Sequence, residues 1–355
     1  MVKVPVLPGV PAVCAFIICA SCALDAGLVG VWGGDCASPV LESLVSVSES
    51  ELVAVFSDPV TVTGARLYPR SGASADSGSA VRWGSLGGTP EIRFILEEPP
   101  AIGIPSVLSA TVEDERGNSL SFAWPFTGYN SRPARLRINE IRTAYSKPKV
   151  EYIELLVLES GNLSGVEITN ARNEDNPAYV FPAAEAAAGE YVVYHLRSVE
   201  DGLVDETGAT DISAGTDARP AARDFWDTLT SSPLKETNVI IVRSRAGGPI
   251  MDALLCAEST VSDWPTDALS RAAGEAFASG AWGPGADPAG AAVTDATTAT
   301  RTLGRRPSAD DTGTAADWAV CRTGKASPGA ANDESIFAAS SANALLSGGK
   351  SSPRK

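Results

Sequence analysis

The chain has 355 residues, 44% of them hydrophobic, with 28 Lys and Arg against 43 Asp and Glu, a formal charge of −15, and one histidine. Its length suits two or three domains, and its acidity opposes nucleic-acid binding, which needs a cationic footprint. A single histidine excludes HExxH and every paired-histidine metal or nuclease centre, and leaves His195 as the only base for a Ser/His/Asp triad.

In chain order, Met1 to Cys22 reads as an export signal. Lys3 supplies the positive start, and Val10 to Ala20 is an apolar run too short to span a bilayer stably. Ser21-Cys22 resembles the small-residue-then-cysteine end of a bacterial lipobox. That resemblance implies a lipid anchor on Cys22 and a place in the cell envelope, on the outer membrane or the periplasmic face; durable anchoring takes more than one acyl chain. Simple cleavage and retention of the segment remain open. Residues 23–37 read as a linker. Cys14 and Cys19 would leave with the signal. Of Cys36, Cys256 and Cys321, the last two form the natural disulfide pair, with two inert buried thiols as the alternative. No later apolar run is long enough to cross a membrane.

Residues 38–129 read as a first all-β module. Glu51 to Phe56 is apolar on both faces, as in a strand inside a sandwich. Ser57-Asp58-Pro59 turns the chain, and further strands follow at 65–68, 80–83, 91–96, 106–113 and 119–126, with Gly117 free to take positive φ in the last turn. Short strands at regular spacing suggest an immunoglobulin-like sandwich. Val55-Phe56-Ser57-Asp58-Pro59-Val60 and Asp114-Glu115-Arg116-Gly117-Asn118-Ser119-Leu120 resemble the opening and closing motifs of bacterial Ig-like domains of surface-layer proteins (the SbsA type). The resemblance implies a spacer or adhesive module. Asp114 and Asn118 read as a satisfied turn, with calcium binding the alternative.

Residues 133–332 read as a second β-sandwich with long loop insertions. Strands are expected at 135–141, 151–158, 166–169, 190–196, 238–244 and 250–256, a helix over 265–280 on the stripe Ala268, Leu269, Ala272, Ala273 and Ala276, and a flexible Gly/Ala/Thr-rich loop over 283–300. The order Ile138-Asn139-Glu140-Ile141, Tyr152-Ile153-Glu154-Leu155, Leu163-Ser164-Gly165, Gly189-Glu190-Tyr191-Val192-Val193, Ile250-Met251-Asp252-Ala253, Leu303-Gly304-Arg305-Arg306, then Trp318 and Ser327-Pro328-Gly329, resembles the lamin-tail domain, an Ig-like sandwich. Leu156 stands where that family usually places Asn. Residues 333–355, rich in Ser, Ala and Gly, read as a disordered tail. The fold class is therefore all-β: two Ig-like sandwiches in tandem, the second lamin-tail-like.

The candidates for chemistry are few. Glu140 and Glu154 form a possible carboxylate pair, more readily read as structural partners of Arg305 and Arg306, since unpaired burial is costly. His195 reads as a hydrogen-bonded sandwich histidine. The acidic insertion from Ser198 to Asp224 reads as a solvated loop, with recognition the alternative. Phe225 and Trp226 after it are candidate binding residues, with packing beneath the loop the alternative.

These readings describe a lipid-anchored, non-catalytic envelope protein that binds a protein or glycan, with no nucleic-acid partner, no metal and no cofactor. The rival readings are an accessory subunit for a separate secreted hydrolase or nuclease, which lamin-tail domains often accompany, and a calcium-dependent structural module.

Overall fold

The computed structural model describes residues 37–70, 78–85, 89–173, 178–228, 234–307 and 310–337. The signal, Cys22 and Cys36, and the tail from residue 338 onward lie outside the described residues.

The first module is built from β1 (Leu41–Ser48), β2 (Glu51–Phe56), β3 (Val60–Pro69), β4 (Ser79–Ser85), β5 (Glu91–Leu96), β6 (Pro105–Asp114) and β7 (Ser119–Thr127). They pair in the order β1-β2-β5-β4-β3-β6-β7. The doubly apolar β2 sits between β1 and β5 and buries Leu52, Val53, Ala54 and Phe56. Strand β4 pairs with both β3 and β5, and there the sheet turns over on itself. Phe56 of β2 and Phe122 of β7, distant in strand order, meet with ring centroids 6.0 Å apart. The result is a sandwich closed over Leu52, Phe56, Phe94, Leu108 and Val112, each worth roughly 1.5–3 kcal/mol when fully buried. The Ser-rich edge strand β1 was not apparent in the sequence, because only Leu44 along it is buried.

The second module has two principal sheets. In chain order its strands are β8 (Arg135–Arg142), β9 (Tyr152–Glu159), β10 (Gly161–Asn162), β11 (Glu167–Asn170), β12 (Ala178–Val180), β13 (Glu185–Ala186), β14 (Tyr191–His195), β15 (Ala222–Trp226), β16 (Asn238–Arg243), β17 (Ile250–Ala257), β18 (Ala292–Val293), β19 (Leu303–Arg305) and β20 (Trp318–Val320), with helix α1 (Asp267–Ala278) after β17. One sheet runs β12-β11-β16-β17-β18 and the other β15-β14-β9-β8-β19-β20. Their inner faces share one core, including Ile138, Ile153, Leu155, Val192, Ile241, Leu254 and Trp318.

The helix covers the outer face of the first of these sheets, and β16 is accordingly buried at every position. Thr266 caps α1, accepting from Leu269 N at 3.3 Å, and Leu269, Ala272, Ala273 and Ala276 of the expected stripe face inward, while Ala268 is only half-buried.

Three expectations change. Residues 283–300 are not a flexible loop: Ala292–Val293 pairs with β17, and the buried Thr294 donates its hydroxyl to Glu236 O at 3.0 Å. The acidic insertion ends in a strand, since β15 runs parallel to β14, a pairing that demands a long crossover connection. The first residues of the expected tail pair with β20: Arg322 N donates to Ser335 O at 3.1 Å and Phe337 N to Val320 O at 2.8 Å.

The modules are joined by a short tie. Asn130 donates its amide nitrogen to Asn162 O and Ser164 O, each at 2.8 Å, and Pro133 bridges to Asn162.

Candidate functional site

Strand alternation sends Val192, Tyr194, Ile153 and Leu155 into the core and leaves Tyr191, Val193, His195, Tyr152, Glu154 and Leu156 on the outer face of the six-stranded sheet. A register shift between Ile138 and Glu140 puts Glu140 and Arg142 on that face as well. Cross-strand register then orders the face into three rows: Arg142–Tyr152–His195–Trp226, Glu140–Glu154–Val193–Asp224, and Arg137–Leu156–Tyr191–Ala222.

The first row is sealed by the acidic crossover between β14 and β15, which acts as a strap. Two of its carboxylates, Glu206 and Asp217, turn inward and are buried. Asp217 Oδ2 pairs with Arg142 Nη1 at 2.6 Å and accepts from Val150 N at 2.8 Å. Glu206 accepts from Ile212 N at 2.8 Å, Ser213 N at 3.1 Å and Asp224 N at 3.0 Å. Asp205 accepts from Trp226 N at 2.8 Å. Asp224 takes His195 Nε2 at 2.7 Å and Arg219 N at 2.9 Å. Backbone N–H groups of a loop laid against a sheet need acceptors, and this run supplies them. The solvated-loop expectation is corrected in part: residues 201–216 are mostly exposed, and the segment is anchored through the buried Glu206 and Asp217.

The second row is sealed by the C-terminal arm. Ser327 N donates to Glu140 Oε2 at 3.1 Å and Gly329 N to Glu154 Oε2 at 2.5 Å; Thr302 Oγ1 also bonds Glu140. Gly329 has φ 82°, and a Cβ there would lie 3.1 Å from Arg219 Cβ, so arm and strap meet at a position suited to glycine. Asn332 clips the arm down, donating to Arg305 O at 2.8 Å and Asn139 O at 2.9 Å. A Cβ on Gly304 would come within 2.9 Å of that Asn332 amide.

Burial pushes Glu140 up from its ordinary value and Glu154 well above it; for Glu154 the neighbouring Glu140 charge adds to the rise. Their partners are backbone amides, Asn139 and hydroxyls. Arg305 instead reaches both Asp252 oxygens at 2.9 and 2.7 Å and Asp311 at 2.7 Å, and the exposed Arg306 bonds the Trp318 carbonyl at 3.3 Å. The expected pairing of Arg305 and Arg306 with Glu140 or Glu154 is thus corrected: the guanidinium of Arg305 lies over Trp318, 4.8 Å from its ring centroid, and faces a different carboxylate.

The remaining candidates fall as follows. His195 is fully buried and stacked on Trp226, with centroids 3.7 Å apart. Phe225 lies in the core and Trp226 under the strap, so neither is an exposed binding aromatic. No Cys256–Cys321 bridge is formed. Both thiols are free and buried; Cys256 donates to Asn238 O at 3.6 Å and is pushed up to about 12 by burial, while Cys321 lies beside Thr302. Asp114 accepts from Arg116 N, Asn118 N and the Asn118 amide, closing its turn. Among the described residues no group of three or more His, Cys, Asp or Glu is placed to hold a metal ion, and no helix is long and apolar enough to cross a membrane.

The third row is open over Arg137, Leu156 and Tyr191, while Ala222 at its end is buried. Above Arg137, Leu156 and Tyr191 lies a cleft of about 170 Å³, walled by Arg305 to Pro307 on one side and by Ala331 and Asn332 on another. It was not foreseeable from sequence, since its floor and walls come from five separate segments. The alternation Tyr191, Val193, His195 was the one signal that pointed to this face.

Fold and site together define a tandem β-sandwich protein whose second module carries a partly covered sheet face. A family model described as "TP_1001_2nd: protein second domain" matches residues 134–320, just over half of the chain, and the chain belongs to that family. A relative from Treponema pallidum (strain Nichols), described as an uncharacterized protein, is 39% identical over 199 residues, covering 54% of this chain and 50% of the relative. The chain thus spans about half the length of the curated relative it matches. Among solved structures, the N-terminal part of the bacterial S-layer protein SbsC is similar with a TM-score of 0.25 at 11% identity, covering 62% of this chain and 44% of that one. A DUF4876 family protein from Bacteroides thetaiotaomicron gives 0.30 at 12% identity, covering 72% and 85%. Both scores lie below the level of a shared fold.

Proposed function

We propose that this is an exported, non-catalytic envelope protein, held by lipid on Cys22, whose second sandwich presents a binding surface to a protein or glycan. The observation that carries the reading is the division of the outer sheet face. The ionisable residues of its first two rows are buried beneath the strap and the arm, and only the third row opens to solvent. His195 and Asp224 are fully buried and bonded to each other, and Glu140 and Glu154 are sealed by the arm; a general base needs to reach its substrate. The segment Lys3 to Cys22 supports export and anchoring, and the resemblance to lamin-tail domains is compatible with a recognition module.

Metabolic labelling with a fatty-acid probe tests the anchor. Label in the wild type that is lost in Cys22→Ala, together with recovery in an envelope fraction, is the expected result. A free, unlabelled product in the soluble fraction would overturn the anchored reading.

A further inference from the structure

We infer that the open cleft over the third row takes a neutral saccharide unit, a deepening that rests on the proposed binding role. Charge comes first. The three guanidinium groups at the cleft, Arg137, Arg305 and Arg306, are balanced by three carboxylates, Asp310, Asp311 and Asp317, in a chain whose formal charge is −15. An anion meets the repulsion of the whole protein with no local surplus of positive charge to offset it, and a cation finds Asp311 and Asp317 already faced by Arg305, with Asp310 alone left to hold it. A neutral ligand rich in hydroxyls pays neither cost.

The donor and acceptor set fits the same class. Arg137 Nε is buried and has no hydrogen-bond partner, and its Nη1 lies 3.5 Å from Asp311 Oδ2. Nε itself is closed to solvent, so a ligand hydroxyl would meet this guanidinium through the part of the side chain that is exposed, 27% of it. Among the described residues, the terminal nitrogens of Arg306 and the hydroxyl of Tyr191 have no protein partner, and Asp310 is exposed beside them. Asn332 contributes shape only, because both of its polar atoms are spent on the clip to Asn139, Arg305 and Ser327.

Shape narrows the class further. Leu156 and Tyr191 are adjacent in register and half-buried, giving a small apolar floor with a ring at one end. Such a floor matches the C–H face of a sugar ring while the guanidinium and carboxylate groups meet its edge. Drug-sized ligands occupy about 300–1,000 Å³, so a cleft of about 170 Å³ accommodates one ring, a single residue of a longer glycan.

The test is ligand-observed saturation-transfer NMR on the full chain in detergent, with glucose, galactose and N-acetylglucosamine as probes, and N-acetylneuraminic acid and trialanine as comparators. The expected result is signal from at least one neutral sugar and none from the comparators. Binding should weaken about three- to tenfold in Arg306→Ala, an exposed position, as for loss of a hydrogen bond, and be lost in Tyr191→Ala. Tyr191→Phe, which keeps the ring and removes only the hydroxyl, should retain most of it and guards against a folding defect. Silence from all three neutral sugars overturns the inference, as does sugar binding unchanged in both Arg306→Ala and Tyr191→Ala, or signal from trialanine alone. If Cys22 is labelled and the protein fractionates with the envelope while no sugar binds, the inference fails and the envelope reading stands. Sugar binding by an unlabelled, soluble product is the reverse.

Discussion

Glu140 and Glu154 face each other across β8 and β9, both almost fully buried, and both raised above the ordinary carboxylate value of 4.5. A raised folded-state value means that the folded protein binds the proton more tightly than the unfolded chain does. The stability this provides is fully present below the unfolded value and is lost as pH rises through the folded ones. The two titrate as a coupled pair, so the loss belongs to both. Glu154→Gln removes one member while keeping an acceptor for Gly329 N. The variant's melting temperature should therefore fall less than the wild type's between about pH 5 and about pH 8. An equal or steeper fall in the variant would contradict the burial assigned to this pair. At this scale the sequence was informative about residue type and uninformative about partner: Glu140 and Glu154 stood out as buried carboxylates, yet Arg305 went to Asp252 because the β8 register shift and the β17 crossing set its reach, and neither is a local property.

The elements that seal the outer face are the strap and the arm, and composition misled about both. A run containing Glu200, Asp205, Glu206, Asp211 and Asp217 looks solvated by charge count. What decides its structure is the demand of backbone amides for acceptors, which Glu206 and Asp217 meet. Asp217→Ala should leave Arg142, a side chain only 2% exposed, without its carboxylate. Removing one partner of a buried pair costs about 3–5 kcal/mol, and limited proteolysis should cut between residues 198 and 217 faster than in the wild type. Unchanged cleavage in a variant with unchanged stability would mean that the strap is held otherwise. Helix α1, by contrast, was fully legible, since a stripe of Leu and Ala at helical spacing has one way to bury itself. Strand β15 was hidden because its partner β14 lies parallel and across the whole strap, so no hairpin signal joins them. The ordered segment 283–300 was hidden for a related reason: threonine hydroxyls such as those of Thr294 and Thr297 close local hydrogen bonds that composition reads as looseness.

At the scale of the whole molecule, the all-β class and the two sandwiches were readable from strand spacing and turn residues, since each strand's alternation reports one buried face. The tie between them was not, because Asn130 reaches carbonyls more than thirty positions away. Asn130→Ala removes both of those bonds and should broaden the range of separations between the modules in small-angle scattering, with little change in the unfolding of either. An unchanged scattering profile would mean that Asn130 does not set the spacing of the modules.

The central claim is that the acidic and buried ionisable groups of the second module serve to hold strap and arm over two rows of a sheet, leaving the third open. Residue-resolved amide hydrogen exchange reads this directly. The account predicts core-like protection at Ile212, Ser213, Asp224, Ser327 and Gly329, whose N–H groups are donated to Glu206, Glu140 and Glu154. Exchange at those five amides as fast as in an unstructured chain would contradict it, and would return His195, Glu140 and Glu154 to solvent as groups free for chemistry.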